Sequence, residues 1–139
     1  YDVPRWLNEG LAQVFESGLW EAGVLRLDAP DPALLAALQA DLQGAQPLPL
    51  GELLAAPVAQ FLVRHGQQAG RSHRLYLYSW GLAYYLIFEG RLLDSAALEH
   101  YLGAGQGQGD PQARFEALVK MPLGKFQAQW RAAMVGLGP

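Results

Sequence analysis

The chain has 139 residues, 51% hydrophobic and 17% charged, with a formal charge of −3; this is enough apolar surface to offset ordering entropy, so general disorder is excluded and one domain, 1–139, is expected. Its ten basic residues are scattered rather than lined up to meet a row of phosphates, which argues against a nucleic-acid partner. Cysteine is absent and the longest apolar run is Trp80–Phe88, so disulfides and thiolate ligands are excluded, and no span of the roughly 20 residues that cross a bilayer is present.

In chain order, Trp6, Leu7, Leu11, Val14 and Phe15 recur at helical spacing and predict a first helix from Pro4 to Ser17, with the proline suited to the first turn. Leu19 to Leu27, punctuated by Ser17-Gly18 and Ala22-Gly23, predicts a strand or hairpin, the one β candidate. Asp31 before Pro32 predicts a capped second helix with Leu34, Leu35, Leu38 and Leu42 on one stripe, ending at Gly44. Ala45 to Pro57 is a proline-rich connector with one helical turn at Glu52 to Ala55, followed by a short helix from Val58 to His65.

Ser72 to Glu89 predicts a long helix with Ser72 as cap, apolar nearly all round and therefore central. Asp94 or Ser95 caps a short helix to Leu102, and Gly103 to Gly109 is a glycine and glutamine loop expected to be flexible. Asp110-Pro111 starts another helix with Phe115, Leu118 and Val119 inward, and Pro122 opens the last, with Leu123, Phe126, Trp130 and Met134. The fold class is mainly α: a compact helical domain of about six helices with at most one small hairpin or strand.

The most specific string is Pro4-Arg5-Trp6-Leu7-Asn8-Glu9-Gly10-Leu11-Ala12, continuing to Glu16. It resembles the P-x-W-L-x-E-G-L-A-x-x-x-E segment of gluzincin-type (peptidase MA-like) zinc metallopeptidases. Tyr76-Leu77-Tyr78-Ser79-Trp80-Gly81-Leu82 is more loosely similar to a Y-x-x-S-W-x-L helix of bacterial members, and the tail with Phe115, Phe126 and Trp130 fits too. The likeness implies the C-terminal part of such a domain, after its HExxH helix. It further implies Glu9 as the third zinc ligand, a peptide or protein substrate in the parent protein, and an exported or periplasmic setting.

In that family both histidines of HExxH hold the zinc, and the glutamate of the same motif activates water. His65, His73 and His100 lie in no HExxH string. The motif is therefore expected just upstream of Tyr1, in a longer parent protein, and this chain alone is expected to hold no zinc and to be inactive. About 100° per residue gathers Leu7, Gly10, Leu11, Val14 and Phe15 on one side of the first helix, with Glu9, Gln13 and Glu16 opposite, where a partner helix would fit.

Tyr76 is the candidate catalytic hydroxyl, to stabilise the anion formed when water attacks a peptide carbonyl; the alternative for it and for Tyr78 is core packing. A Ser79–His73–Asp94 triad lacks the Gly-x-Ser-x-Gly elbow, and Gly103 to Gly109 lacks the Lys-Ser/Thr ending of a phosphate loop. The competing function is a non-catalytic helical interaction module or degenerate peptidase remnant. Either way, uncovered surface beside the first helix is expected to favour self-association.

Overall fold

The computed structural model describes residues 3–27, 29–62, 69–103 and 109–138. Among them the chain is mainly helical: α1 (Arg5–Glu16), α2 (Pro32–Leu42), α3 (Leu50–Ala55), α4 (Val58–Phe61), α5 (Ala69–Phe88), α6 (Ala96–Leu102), α7 (Pro111–Val119) and α8 (Leu123–Gly136), with β1 (Leu19–Glu21) and β2 (Val24–Arg26) as the strands. The expected single turn and short helix are α3 and α4, which account for the helices beyond about six. The end of the expected Val58–His65 helix, at 63–65, and 104–108 of the Gly103–Gly109 loop lie outside the described residues.

Side-chain caps set three of the helix starts, those of α2, α6 and α7. Asp31 accepts from the Ala33 and Leu34 amides at 2.9 and 3.0 Å, Ser95 from Leu98 at 3.1 Å, and Asp110 from Ala113 at 3.1 Å; each meets an amide that the first turn leaves without an intrahelical acceptor. Between β1 and β2, which pair antiparallel from Leu19 opposite Arg26 to Glu21 opposite Val24, Ala22 and Gly23 both take positive φ, 52° and 79°. That is the two-residue turn whose twist suits a hairpin.

Helix α5 is the axis of the molecule. Leu75, Tyr78, Ser79, Trp80, Leu82 and Ala83 are all almost fully buried, because α1 covers one side and α2 and α8 cover another. Small residues make this possible. A Cβ on Gly10 of α1 would fall inside contact distance of the Ser79 carbonyl oxygen and 2.8 Å from the Ala83 Cβ, so the two backbones meet there. On the other side Leu38 of α2 lies over Gly81, whose carbonyl accepts from the Trp130 indole at 3.2 Å.

Two sequence expectations change. Ser72 does not cap α5, which starts at Ala69; its hydroxyl is buried inside the helix and donates to the Phe61 carbonyl at 2.8 Å, tying α4 to α5. Phe15 does not join the buried side of α1 and is 51% exposed. The buried strip there is Trp6, Gly10 and Val14 with Leu7, a run of four-residue steps that follows α5, and Phe15 sits about 100° past Val14.

A polar clasp closes the α2–α3 connector against α5. Arg74 forks onto Asp41 through Nε and Nη2 at 3.1 and 2.8 Å, and Nη2 also donates to the Gln46 carbonyl at 2.8 Å. The Tyr78 hydroxyl donates to Asp41 and accepts from the Leu48 amide. Burial alone pushes the Asp41 carboxyl up, but the Arg74 fork and the Tyr78 hydroxyl outweigh it and hold it below the usual carboxylate value. The Tyr78 phenol is pushed up to about 12 by burial first and its bond to Asp41 second, against the pull of the Leu48 amide.

Two predictions follow from this packing. Gly10→Ala places a methyl against backbone and should destabilise by about 1–3 kcal/mol despite alanine's better helix propensity, whereas Gly124→Ala, which meets nothing within 4 Å, should be neutral or slightly stabilising; urea midpoints decide. A carboxyl lowered on folding stabilises fully above its unfolded value of about 3.9 and loses that contribution as pH falls through the folded value. Asp41→Asn should therefore cost about 1–2 kcal/mol at pH 7, and urea titrations should show the gap from wild type shrinking below about pH 4.

Candidate functional site

The string containing Glu9 forms α1, and its residues divide into anchors and a free flank. Trp6 is the first anchor: it is 2% exposed, donates its indole N–H to the Tyr101 hydroxyl at 3.3 Å, and meets Phe115 edge-on at 5.8 Å. Phe115 in turn meets Phe126 edge-on at 5.1 Å, and Phe126 meets Tyr85 edge-on at 5.8 Å, so aromatic rings link α1 through α7 and α8 to α5. Burial raises the Tyr101 phenol, with the Trp6 hydrogen bond acting the other way.

Gly10 is the second anchor, through its backbone contact with Ser79. Gln13 is the third: its side-chain amide donates to the Tyr76 carbonyl at 2.8 Å and reaches the Glu9 carbonyl at 3.5 Å. These contacts fix the roll of α1 about its own axis. They leave a flank on which Arg5 and Glu9 follow one another at one-turn spacing.

Glu9 does not stand in bulk solvent. Its side chain is 17% exposed and its Oε1 pairs with Arg5 Nη2 at 2.8 Å. Glu16, assigned to the same polar side, is exposed. The structure thus brings Glu9, Gln13 and the backbone of Tyr76 together and leaves Glu16 out.

Tyr76 itself is half-buried, with its ring edge-on to Phe61 at 5.5 Å. That contact satisfies the packing role weighed for it from sequence. His73 and His100 are exposed and Asp94 is exposed, whereas Ser79 is fully buried, so the Ser79–His73–Asp94 combination joins a core hydroxyl to surface groups. His65 lies outside the described residues.

Among the described residues no group of three or more His, Cys, Asp or Glu side chains is placed to hold a metal ion, and no helix is long and apolar enough to cross a membrane. Glu9 alone supplies a carboxylate oxygen, a proper zinc donor but one of the three protein ligands that a catalytic zinc uses. Two adjoining surface cavities of about 310 and 340 Å³ share Ala97, Leu118 and Lys120. The smaller is also lined by His100, Tyr101 and Arg114.

Sequence reasoning missed Arg5 as the partner of Glu9. The signal was present as opposite charges four residues apart on a helix. No protein family, curated protein or solved structure matches the chain.

Proposed function

We propose that this chain is the distal part of a zinc-dependent peptidase domain in which Glu9 is the third metal ligand and two histidines come from polypeptide outside these 139 residues. The observation that carries the proposal is a juxtaposition. The two strings that resemble gluzincin segments, separated by 63 residues at the Gln13–Tyr76 bond, pack directly on each other, and Glu9 lies on the flank of that contact with its carboxylate shielded but reachable.

When bound, zinc supplies a polarised, readily deprotonated water to attack the peptide carbonyl. What this chain contributes is position. Gly10 and Trp6 hold α1 on α5, Gln13 fixes the turn that carries Glu9, and the Glu9 carboxylate is presented on a rigid helix rather than on a loop. Tyr76 is assigned the secondary role of hydroxyl donor to the anionic intermediate, on family likeness.

Phe15, 51% exposed on α1, favours a covering element for this helix. In the peptidase reading that element belongs to the same polypeptide. In the alternative, a non-catalytic module, it belongs to another protein or a second copy.

Zinc content separates the two. The full-length protein should copurify with close to one zinc per chain. Glu9→Gln should lose most of it, and Tyr76→Phe should keep it while slowing peptide hydrolysis by about tenfold or more. Metal analysis of dialysed protein is the measurement, and zinc content unchanged by Glu9→Gln contradicts the assignment.

A further inference from the structure

We propose that the two adjoining cavities between α6, α7, the end of α5 and the start of α8 bind a small amphipathic carboxylate, an aliphatic acid whose tail enters the larger cavity and whose head group meets Lys120. The site is separate from the α1 flank and independent of the role of Glu9. Its dimensions suit a small ligand: cavities of about 310 and 340 Å³ that share Ala97, Leu118 and Lys120 reach the lower end of the range for small-molecule sites. Tyr85, Leu86, Leu92, Leu118, Met121 and Phe126 make the larger one mostly apolar, so a hydrocarbon tail there meets side chains of α5, α7 and α8 at once.

The charged groups at this place are of one sign. Lys120 lines both cavities, and Arg114 lines the smaller together with His100 and with Tyr101, over whose ring the guanidinium sits at 5.4 Å. Among the described residues neither cavity is lined by Asp or Glu, although the chain as a whole carries a formal charge of −3. Glu116 of α7 is spent elsewhere, accepting from the Leu123 amide at 2.7 Å at the start of α8.

Backbone oxygens that would repel an anion are engaged too. At the end of α5 the Tyr85 carbonyl accepts from the Gly90 amide at 3.0 Å and the Leu86 carbonyl from the Leu92 amide at 2.9 Å, which satisfies groups that a helix C-terminus leaves open. A ligand head group therefore meets cations and donors, the complement of a carboxylate.

The connectors around the cavities are strained. Among the described residues four non-glycine positions take positive φ, and three of them are Arg91, Asp94 and Lys120, at 49°, 66° and 59°. Lys120 is itself in the shared wall, and Arg91 and Asp94 flank Leu92 and Ser95, which line the larger cavity. Left-handed backbone is disfavoured for residues that carry a Cβ, and such strain gathers at ligand sites, where the surroundings hold it in place.

The test titrates sodium octanoate and octylammonium chloride, which pair the same chain length with opposite charge, into the full-length protein. Ligand-observed NMR follows binding to wild type, Lys120→Met and Ala97→Phe, and thermal melts establish that each is folded. Ala97 is partly buried in the shared wall, so phenylalanine fills the space, while Lys120 is exposed and methionine keeps its apolar stem without the charge. Wild type should bind octanoate saturably, with a dissociation constant on the order of 1 mM, and octylammonium roughly threefold or more weakly. Lys120→Met should weaken octanoate by about two- to fivefold, the scale of an exposed charge pair, and Ala97→Phe should abolish its binding. Should Ala97→Phe fail to fold, Lys120→Met at its exposed position decides alone. Failure of octanoate to saturate, equal affinity for the two probes, or octanoate binding undiminished in either folded variant overturns the proposal.

Discussion

The contact between the Gly10 backbone and the Ser79 carbonyl governs the arrangement of the whole α1 flank. Without a Cβ at Gly10 the two helices approach more closely than ordinary side chains allow, and everything else on α1 is then placed by helical geometry. Trp6, one turn earlier, reaches Tyr101 and Phe115; Gln13, one turn later, reaches the Tyr76 carbonyl. With three points fixed along the helix, Arg5 and Glu9 have one direction left, the flank beside α5. A carboxylate carried on such an element keeps its position far better than one on a loop.

The opposite side of α5 is packed by Leu38 and Trp130 at Gly81 and fastened by polar groups. The Asp41–Arg74–Tyr78 clasp holds the connector after α2, while the Gln39 amide donates to the Met134, Val135 and Leu137 carbonyls at the end of α8 at 3.0, 3.3 and 2.9 Å. Arg131 returns the favour at the Leu42 carbonyl, at 2.9 Å through Nη2. These bonds satisfy carbonyls that helix ends leave open, so α2 and α8 brace each other at their C-termini. The result is a rigid backing for α5 and, through it, for α1.

Much of this was legible locally. Asp31, Ser95 and Asp110 act within three residues of themselves, so their capping roles and the helices they start follow from spacing alone. The central place of α5 was legible too, because a helix apolar nearly all round must be surrounded. What could not be read is what depends on partners far along the chain. Trp6 meets Tyr101 across 95 residues and Asp41 meets Arg74 across 33. Ser72 has a capping residue's chemistry but spends its hydroxyl on Phe61 of a neighbouring helix, and Phe15 falls outside a buried strip only as wide as α5. For the site, the Glu9 string was visible as a pattern, whereas the shielding of its carboxylate depends on how α1 is rolled onto α5.

Amide hydrogen exchange under native conditions tests most directly whether α1 and α5 form one unit that fixes Glu9. The amides from Gly10 to Val14 should exchange with the same opening free energy as those from Leu75 to Leu82, at or near that of global unfolding. Exchange in α1 through a separate, lower-energy opening while α5 stays protected would contradict it, since a helix that detaches on its own cannot hold a carboxylate in place.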